Sequence, residues 1–131
     1  MRLLVDTHVW LWLQVAPERL GDALRECEDP ANQLLLSAAS SWEIAIKWAL
    51  GKLPLPEPPA TYVPDRIVSS GVTPLAVEHA HTLAVADLPA HHHDPFDRLL
   101  VAQAQTEGAT LLTADPQLDS YEVDLLRVDS T

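Results

Sequence analysis

The strongest constraint on this chain is an alternation of short apolar runs with longer amphipathic stretches. Arg2–Val5, Leu34–Ser37, Val72–Leu75 and Thr110–Thr113 are runs of strand length, and Leu125–Val128 is a short fifth. Runs this short and this apolar suit strands buried on both faces, the condition of a parallel sheet covered by helices. Helices are predicted across Thr7–Gln14 and from Pro17 to about Glu28, the latter with Leu20, Ala23, Leu24 and Cys27 on one face. Another runs from Ser41 to Leu50, where Gly51 is a stop signal. Pro54–Pro64 carries five prolines and reads as a loop, with helix regained over Ala60–Val68. Val77–Ala86 and Pro95–Glu107 are further helices, the last bounded by Asp94-Pro95 in front and Gly108 behind. Strands alternating with helices predict a doubly wound α/β sandwich with a central, mainly parallel sheet of four to five strands. No repeat, low-complexity tract or linker divides positions 1–131, which read as one domain.

Charge points away from a simple nucleic-acid binder. Eight Lys and Arg stand against nineteen Asp and Glu, a formal net charge of −11. Proteins that grip phosphates broadly do so with excess basic residues that displace counterions. Any contact with RNA must therefore be local, helped by a metal, or shared with a partner. No apolar run approaches the roughly 20 residues of a membrane-spanning helix. Met1-Arg2, followed closely by Asp6 and His8, lacks the layout of a secretory signal. The single Cys27 has no internal partner and fits a reducing cytoplasm, which is the expected location.

Four acids occupy suggestive places in the strand–helix layout. Asp6 follows the first strand and Asp115 the fourth; Glu43 is placed in the first turn or so of the helix after strand two, and Asp97 in the first turn of the long helix before strand four. In a parallel sheet all four approach its carboxyl edge, where ligands of open α/β folds bind. Clustered carboxylates repel one another, and a divalent cation neutralises them; oxygen-only ligands favour Mg²⁺ or Mn²⁺. Each acid also has an ordinary structural role. Asp6 and Asp115 are placed to cap helices, and Ser40-Ser41-Trp42-Glu43 matches a capping box. Glu43 is spaced to pair with Lys47, and Asp97 suits a helix dipole behind an Asp94 cap. Capping does not explain why all four share one edge.

Leu3-Leu4-Val5-Asp6-Thr7-His8 resembles the opening of PIN domains, a hydrophobic strand ending in Asp-Thr. The segments Ser37–Lys47, Asp94–Ala104 and Leu111–Asp115 are similar to their second, third and fourth blocks, so the ordered set spans positions 3 to 115. Asp94-Pro95-Phe96-Asp97-Arg98-Leu99-Leu100 especially resembles a subgroup of bacterial VapBC-type toxins. The resemblance implies a PIN-like three-layer sandwich and a metal-dependent endoribonuclease, inhibited by a cognate antitoxin and commonly a homodimer. Carried over by position, the catalytic and metal-binding quartet is Asp6, Glu43, Asp97 and Asp115, and Thr113 matches a hydroxyl that often precedes the fourth acid. Asp6, Asp97 and Asp115 are expected to hold one cation, with Glu43 placing a second or orienting the attacking water. His91-His92-His93 stands where relatives often carry a basic residue. A partner segment is expected in a groove beside the first helix, which carries Trp10 and Trp12.

Competing assignments fare less well. Three adjacent loop histidines rarely converge on one zinc ion, so a solvated run is expected there. The four tryptophans are expected mainly in the core, although Trp10 and Trp12 cannot share one helical face. Four glycines and no lysine-bearing phosphate loop exclude a P-loop enzyme. A receiver-like signalling module needs an acid ending strand three and a Lys after strand five; Leu75-Ala76 and Val128 offer neither. An inactive PIN-like binding module is the remaining alternative, and the complete acidic set argues against it.

Overall fold

The computed structural model describes residues 1–91 and 94–128, so His92 and His93 of the histidine run lie outside the described residues. Arg2–Val5 (β1), Gln33–Ser37 (β2), Thr73–Leu75 (β3), Thr110–Thr113 (β4) and Leu125–Arg127 (β5) form one parallel sheet in the order β3-β2-β1-β4-β5. Period-two geometry decides which layer each side chain joins. Leu3 and Val5 of β1 pack into one apolar cluster, and Leu4 between them packs into the other. Leu34 and Leu36 against Leu35, and Leu112 against Leu111, divide in the same way. Each such leucine contributes roughly 1.5–3 kcal/mol by leaving water.

One face is covered by α1 (Thr7–Val15), α2 (Ala23–Glu28), α3 (Ala38–Ala49) and α4 (Pro59–Ser70), through Val9, Trp10, Ala23, Ile44, Tyr62 and Val63. The other is covered by α5 (His79–Ala84) and α6 (Pro95–Glu107), with Leu100, Val101 and Ala104 at the centre. The layering is therefore the doubly wound sandwich read from the sequence. From β1 the chain winds outward through β2 to β3, then returns to the other side of β1 as β4. The switch point lies between β1 and β4, at their carboxyl ends. Receiver-type folds use the order 2-1-3-4-5 instead, so this topology removes the receiver-like alternative.

Local departures from the sequence reading have identifiable causes. The single helix expected from Pro17 to about Glu28 is two pieces, a 3-10 turn over Pro17–Leu20 and then α2. Gly21 breaks it, with φ 57° and ψ −133°. The helix expected from Ser41 begins at Ala38 because Ser37, not Ser40, caps it and accepts from the Ala39 amide at 3.0 Å. Glu43 consequently sits in the second turn, and the capping box read at Ser40–Glu43 does not form. The helix expected over Val77–Ala86 is shorter: α5 ends at Ala84 and gives way to a 3-10 turn over Val85–Asp87. By contrast α6 has the predicted limits, with Asp94 as its cap and Gly108 in the left-handed conformation at φ 63° behind it.

Candidate active site

The backbone places Asp6 by pairing. Its amide donates to the Leu112 carbonyl at 2.9 Å, tying the end of β1 to β4. Asp6 occupies the N-cap position of α1, yet its side chain makes no capping hydrogen bond. It accepts instead from the Thr113 hydroxyl at 2.7 Å. The same hydroxyl oxygen accepts from the Asp115 amide at 3.0 Å, so one fully buried threonine links the first acid to the fourth. Asp6 is only 6% exposed. Burial pushes its carboxyl above the ordinary aspartate range. The Thr113 hydroxyl, the charge of His8 and the Thr7 amide oppose that shift, and the charge of Glu43 adds to it.

Glu43 is brought in by α3, which is fastened to α1 where the buried Thr7 hydroxyl donates to Ser40 at 2.8 Å. Glu43 is 3% exposed. One carboxylate oxygen pairs with Lys47 one turn along; the other, Oε1, is buried with no hydrogen-bond partner. A buried carboxylate oxygen left in that state is costly. Asp97 enters at the third position of α6, where Asp94 accepts from the Phe96 and Asp97 amides at 2.9 and 3.2 Å. Asp115 caps the 3-10 turn Pro116–Ser120, accepting from the Gln117 amide at 2.9 Å.

Asp6, Glu43, Asp97 and Asp115 line one cleft of about 380 Å³ together with His8, Trp12, Lys47, Asp94, Ala114 and Gln117. The cleft lies at the switch point between β1 and β4. Shared lining is not chelation: among the described residues, no group of three His, Cys, Asp or Glu side chains is spaced to hold one ion. Asp6 is turned to Thr113, Glu43 to Lys47 and Asp115 to the Gln117 amide. The donor set still fits a hard divalent cation. It is rich in carboxylate oxygen, and Glu43 Oε1 is a buried acceptor that the protein leaves unsatisfied.

Several cleft residues escaped the sequence reading. Gln117 lacked any distinguishing signal, and Asp94 lines the cleft as well as capping α6. His8 is both exposed on α1 and part of the lining. Trp10 and Trp12 part to different faces as expected, while the core placement expected of the other two tryptophans does not hold. Trp10 is fully buried and Trp12 lines the cleft with the Arg19 guanidinium 4.1 Å above its ring, whereas Trp42 and Trp48 are exposed rather than in the core.

The family model for the PIN domain matches residues 3–123. This chain belongs to the PIN domain family. Ribonuclease VapC22 of Mycobacterium tuberculosis is 30% identical to this PIN domain over 122 residues, 91% of each chain. Ribonuclease VapC16 of the same organism is 56% identical over 70 residues, and that match spans half the length of each chain. Among solved structures, VapBC2 from Rickettsia felis bound to a DNA fragment from their promoter aligns with TM-score 0.71 and 16% identity, covering 98% of this chain and 100% of that one. VapBC-1 from nontypeable Haemophilus influenzae aligns with TM-score 0.66 and 15% identity, over 97% and 98%. At such identities the likeness is one of fold.

Proposed function

We propose that this PIN domain is a metal-dependent endoribonuclease, the toxin of a VapBC-type toxin–antitoxin pair, acting in the cytoplasm as a single-domain protomer of a homodimer. The observation that carries the reading is the convergence of Asp6, Glu43, Asp97 and Asp115, from four separate elements, on one cleft at the switch point, with Glu43 Oε1 buried and unpartnered. The relatives named ribonucleases supply the substrate class. Among the described residues no helix is long and apolar enough to cross a membrane.

Asp6, Asp97 and Asp115 would hold one Mg²⁺ or Mn²⁺, directly or through water. A divalent cation bound by such oxygens supplies Lewis acidity, lowering the pKa of water and offsetting charge on the phosphoryl oxygens. Glu43 would help place a second ion or orient the attacking water, with its Oε2 held by Lys47 and Oε1 left to accept. Thr113 fixes one oxygen of the Asp6 carboxylate, which makes no capping hydrogen bond to α1. Water would attack phosphorus as the P–O3′ bond breaks and the leaving 3′-oxygen takes up a proton, so the products carry 5′-phosphate and 3′-hydroxyl ends.

An antitoxin partner follows from the same reading. The first helix offers less than its two tryptophans suggested, because Trp10 is buried. The apolar groove of about 630 Å³ between α3 and α4, lined by Ala45, Val63, Ile67 and Val68, supports docking of an apolar antitoxin segment there instead. The test of function is cleavage of single-stranded RNA in EDTA, Mg²⁺ or Mn²⁺, with end-group analysis. Cleavage should vanish in EDTA and return with either cation. Full activity in EDTA, or cyclic phosphate ends, overturns the mechanism.

A further inference from the structure

We infer that Lys47 is a built-in cation at Glu43 that takes the place of a second metal ion, so that the cleft takes one divalent cation and Glu43 orients water through its free Oε1. The inference rests on the metal-dependent ribonuclease reading and decides between the two roles that reading leaves to Glu43.

Residues four apart on a helix share a face. On α3 that face looks into the acidic cleft, because Glu43 and Lys47 both line it together with Asp6, Asp97 and Asp115. Lys47 Nζ donates to Glu43 Oε2. A solvent-exposed pair of this spacing contributes little, since water and salt screen it. This pair is largely out of solvent, the Glu43 side chain being 3% exposed and that of Lys47 35%. Among the described residues that line the cleft, Lys47 is the one Lys or Arg, against five carboxylates when the Asp94 cap is counted. Its ammonium is a compact point charge, set at the edge where the acids meet.

A carboxylate recruits a metal ion with a free oxygen and with charge not already balanced. At Oε2 Lys47 removes both. Oε1 is buried and accepts no hydrogen bond, a state that is costly until something meets it. A second divalent ion on Oε1 would lie one carboxylate group away from the ammonium, and like charges repel more strongly where water is excluded. A neutral water meets no such opposition and has protons to donate. The pairing therefore selects water over a second ion as the group that Oε1 receives.

The test counts Mn²⁺ bound per chain, by electron paramagnetic resonance of the free ion during titration of protein stripped with EDTA and desalted. The titration is run in about 0.15 M KCl, which screens the exposed carboxylates. The wild type should bind one Mn²⁺ per chain. Lys47→Met keeps an unbranched side chain without its charge and should bind two. Lys47→Arg keeps the charge and should bind one. Cleavage of single-stranded RNA gives a second readout. At Mn²⁺ that saturates the wild type, Lys47→Met should cut about tenfold to a hundredfold more slowly. Its rate should recover as Mn²⁺ is raised further, while the wild-type rate stays level. Glu43→Gln should still bind one Mn²⁺ yet cut poorly, because an amide is a weak acceptor for a proton of the water. Two Mn²⁺ on the wild type, or one on a folded Lys47→Met, overturns the inference. If Lys47→Met does not fold, the other two variants decide: two ions on Lys47→Arg, or none on Glu43→Gln, overturns it. A wild type that binds no Mn²⁺ and cuts RNA in EDTA overturns the metal-dependent reading itself; one that binds two and needs them removes only the role of Lys47.

Discussion

At the amino end of the sheet Glu107 accepts from His81 Nε2 at 2.9 Å and from the guanidinium of Arg2, the first residue of β1. The geometry settles the roles, since His81 Nδ1 accepts the Glu78 amide at 2.9 Å and leaves Nε2 to donate. His81 is 2% exposed, yet both ring nitrogens are used. The His81 hydrogen bond lowers the Glu107 carboxyl below the ordinary glutamate range; burial opposes the shift and Arg2 reinforces it. At the carboxyl end the balance reverses. Asp6 is pushed upward by burial, and Glu43 keeps a buried oxygen without a partner. One edge completes its charges within the protein and adds stability. The other leaves one buried carboxylate oxygen, Glu43 Oε1, without a partner, as a site open to a ligand would.

The largest effect that would break this contrast is at Asp97. Asp97→Asn preserves shape and removes charge from the crowded edge. RNA cleavage should fall by more than about a hundredfold, beyond what disturbing a metal ligand's own hydrogen-bond partner costs. The melting temperature in EDTA should hold or rise, because like charges no longer oppose each other. Asp94→Ala, three residues earlier, should do the reverse, losing about 1 kcal/mol of stability with its cap while folded protein keeps much of its turnover. If Asp94→Ala is dead and Asp97→Asn cleaves normally, the pair has been assigned the wrong way round.

Thr113→Val sharpens the comparison by removing the donor from Asp6 without touching a carboxylate. Leaving that buried carboxylate without its hydroxyl should destabilise the fold by about 1–3 kcal/mol. Turnover in saturating Mg²⁺ should fall about tenfold to a hundredfold. Wild-type turnover in Thr113→Val would show that the hydroxyl does not position Asp6.

At the opposite edge the smallest effect is expected, on stability alone. Glu107→Gln should cost about 1 kcal/mol at neutral pH, modest because the group is partly solvated. Because the folded carboxyl titrates below its ordinary 4.5, its stabilisation is complete above that pH and is lost as pH falls through the lowered value. The gap in melting temperature between wild type and Glu107→Gln should therefore narrow in acid. A gap that widens on acidification would contradict the pairing with His81 and Arg2. Cleavage per folded molecule should be that of the wild type.

Both edges differ in how legible they were. Local signals carried the fold. The Arg2–Val5 and Thr110–Thr113 runs became β1 and β4 with those limits, and Asp94-Pro95 with Gly108 bounded α6, because caps, prolines and left-handed glycines act within one turn of chain. The carboxyl-edge quartet was readable as an ordered series of acids at strand and helix ends. The His81–Glu107–Arg2 network was not, since its members lie 26 and 105 residues apart and nothing local distinguishes His81 from His79 in α5.

Within the cleft itself, the sequence determined which acids stand at the ends of which elements and the order in which the chain visits them. Only the tertiary structure decided what each carboxylate does there. Asp6 had every local qualification as a cap and does not cap, because strand order brings Thr113, 107 residues away, within 2.7 Å of its oxygen. Glu43 had two local roles available and holds only the one with Lys47, because the helix begins at Ala38 and turns the side chain to the buried edge. Trp42, adjacent to it, lies on the exposed side of the same helix by that same rotation. Each outcome depends on strand neighbours and helix phase, and both are set by burying two apolar layers at once, a condition that no stretch of chain can express locally.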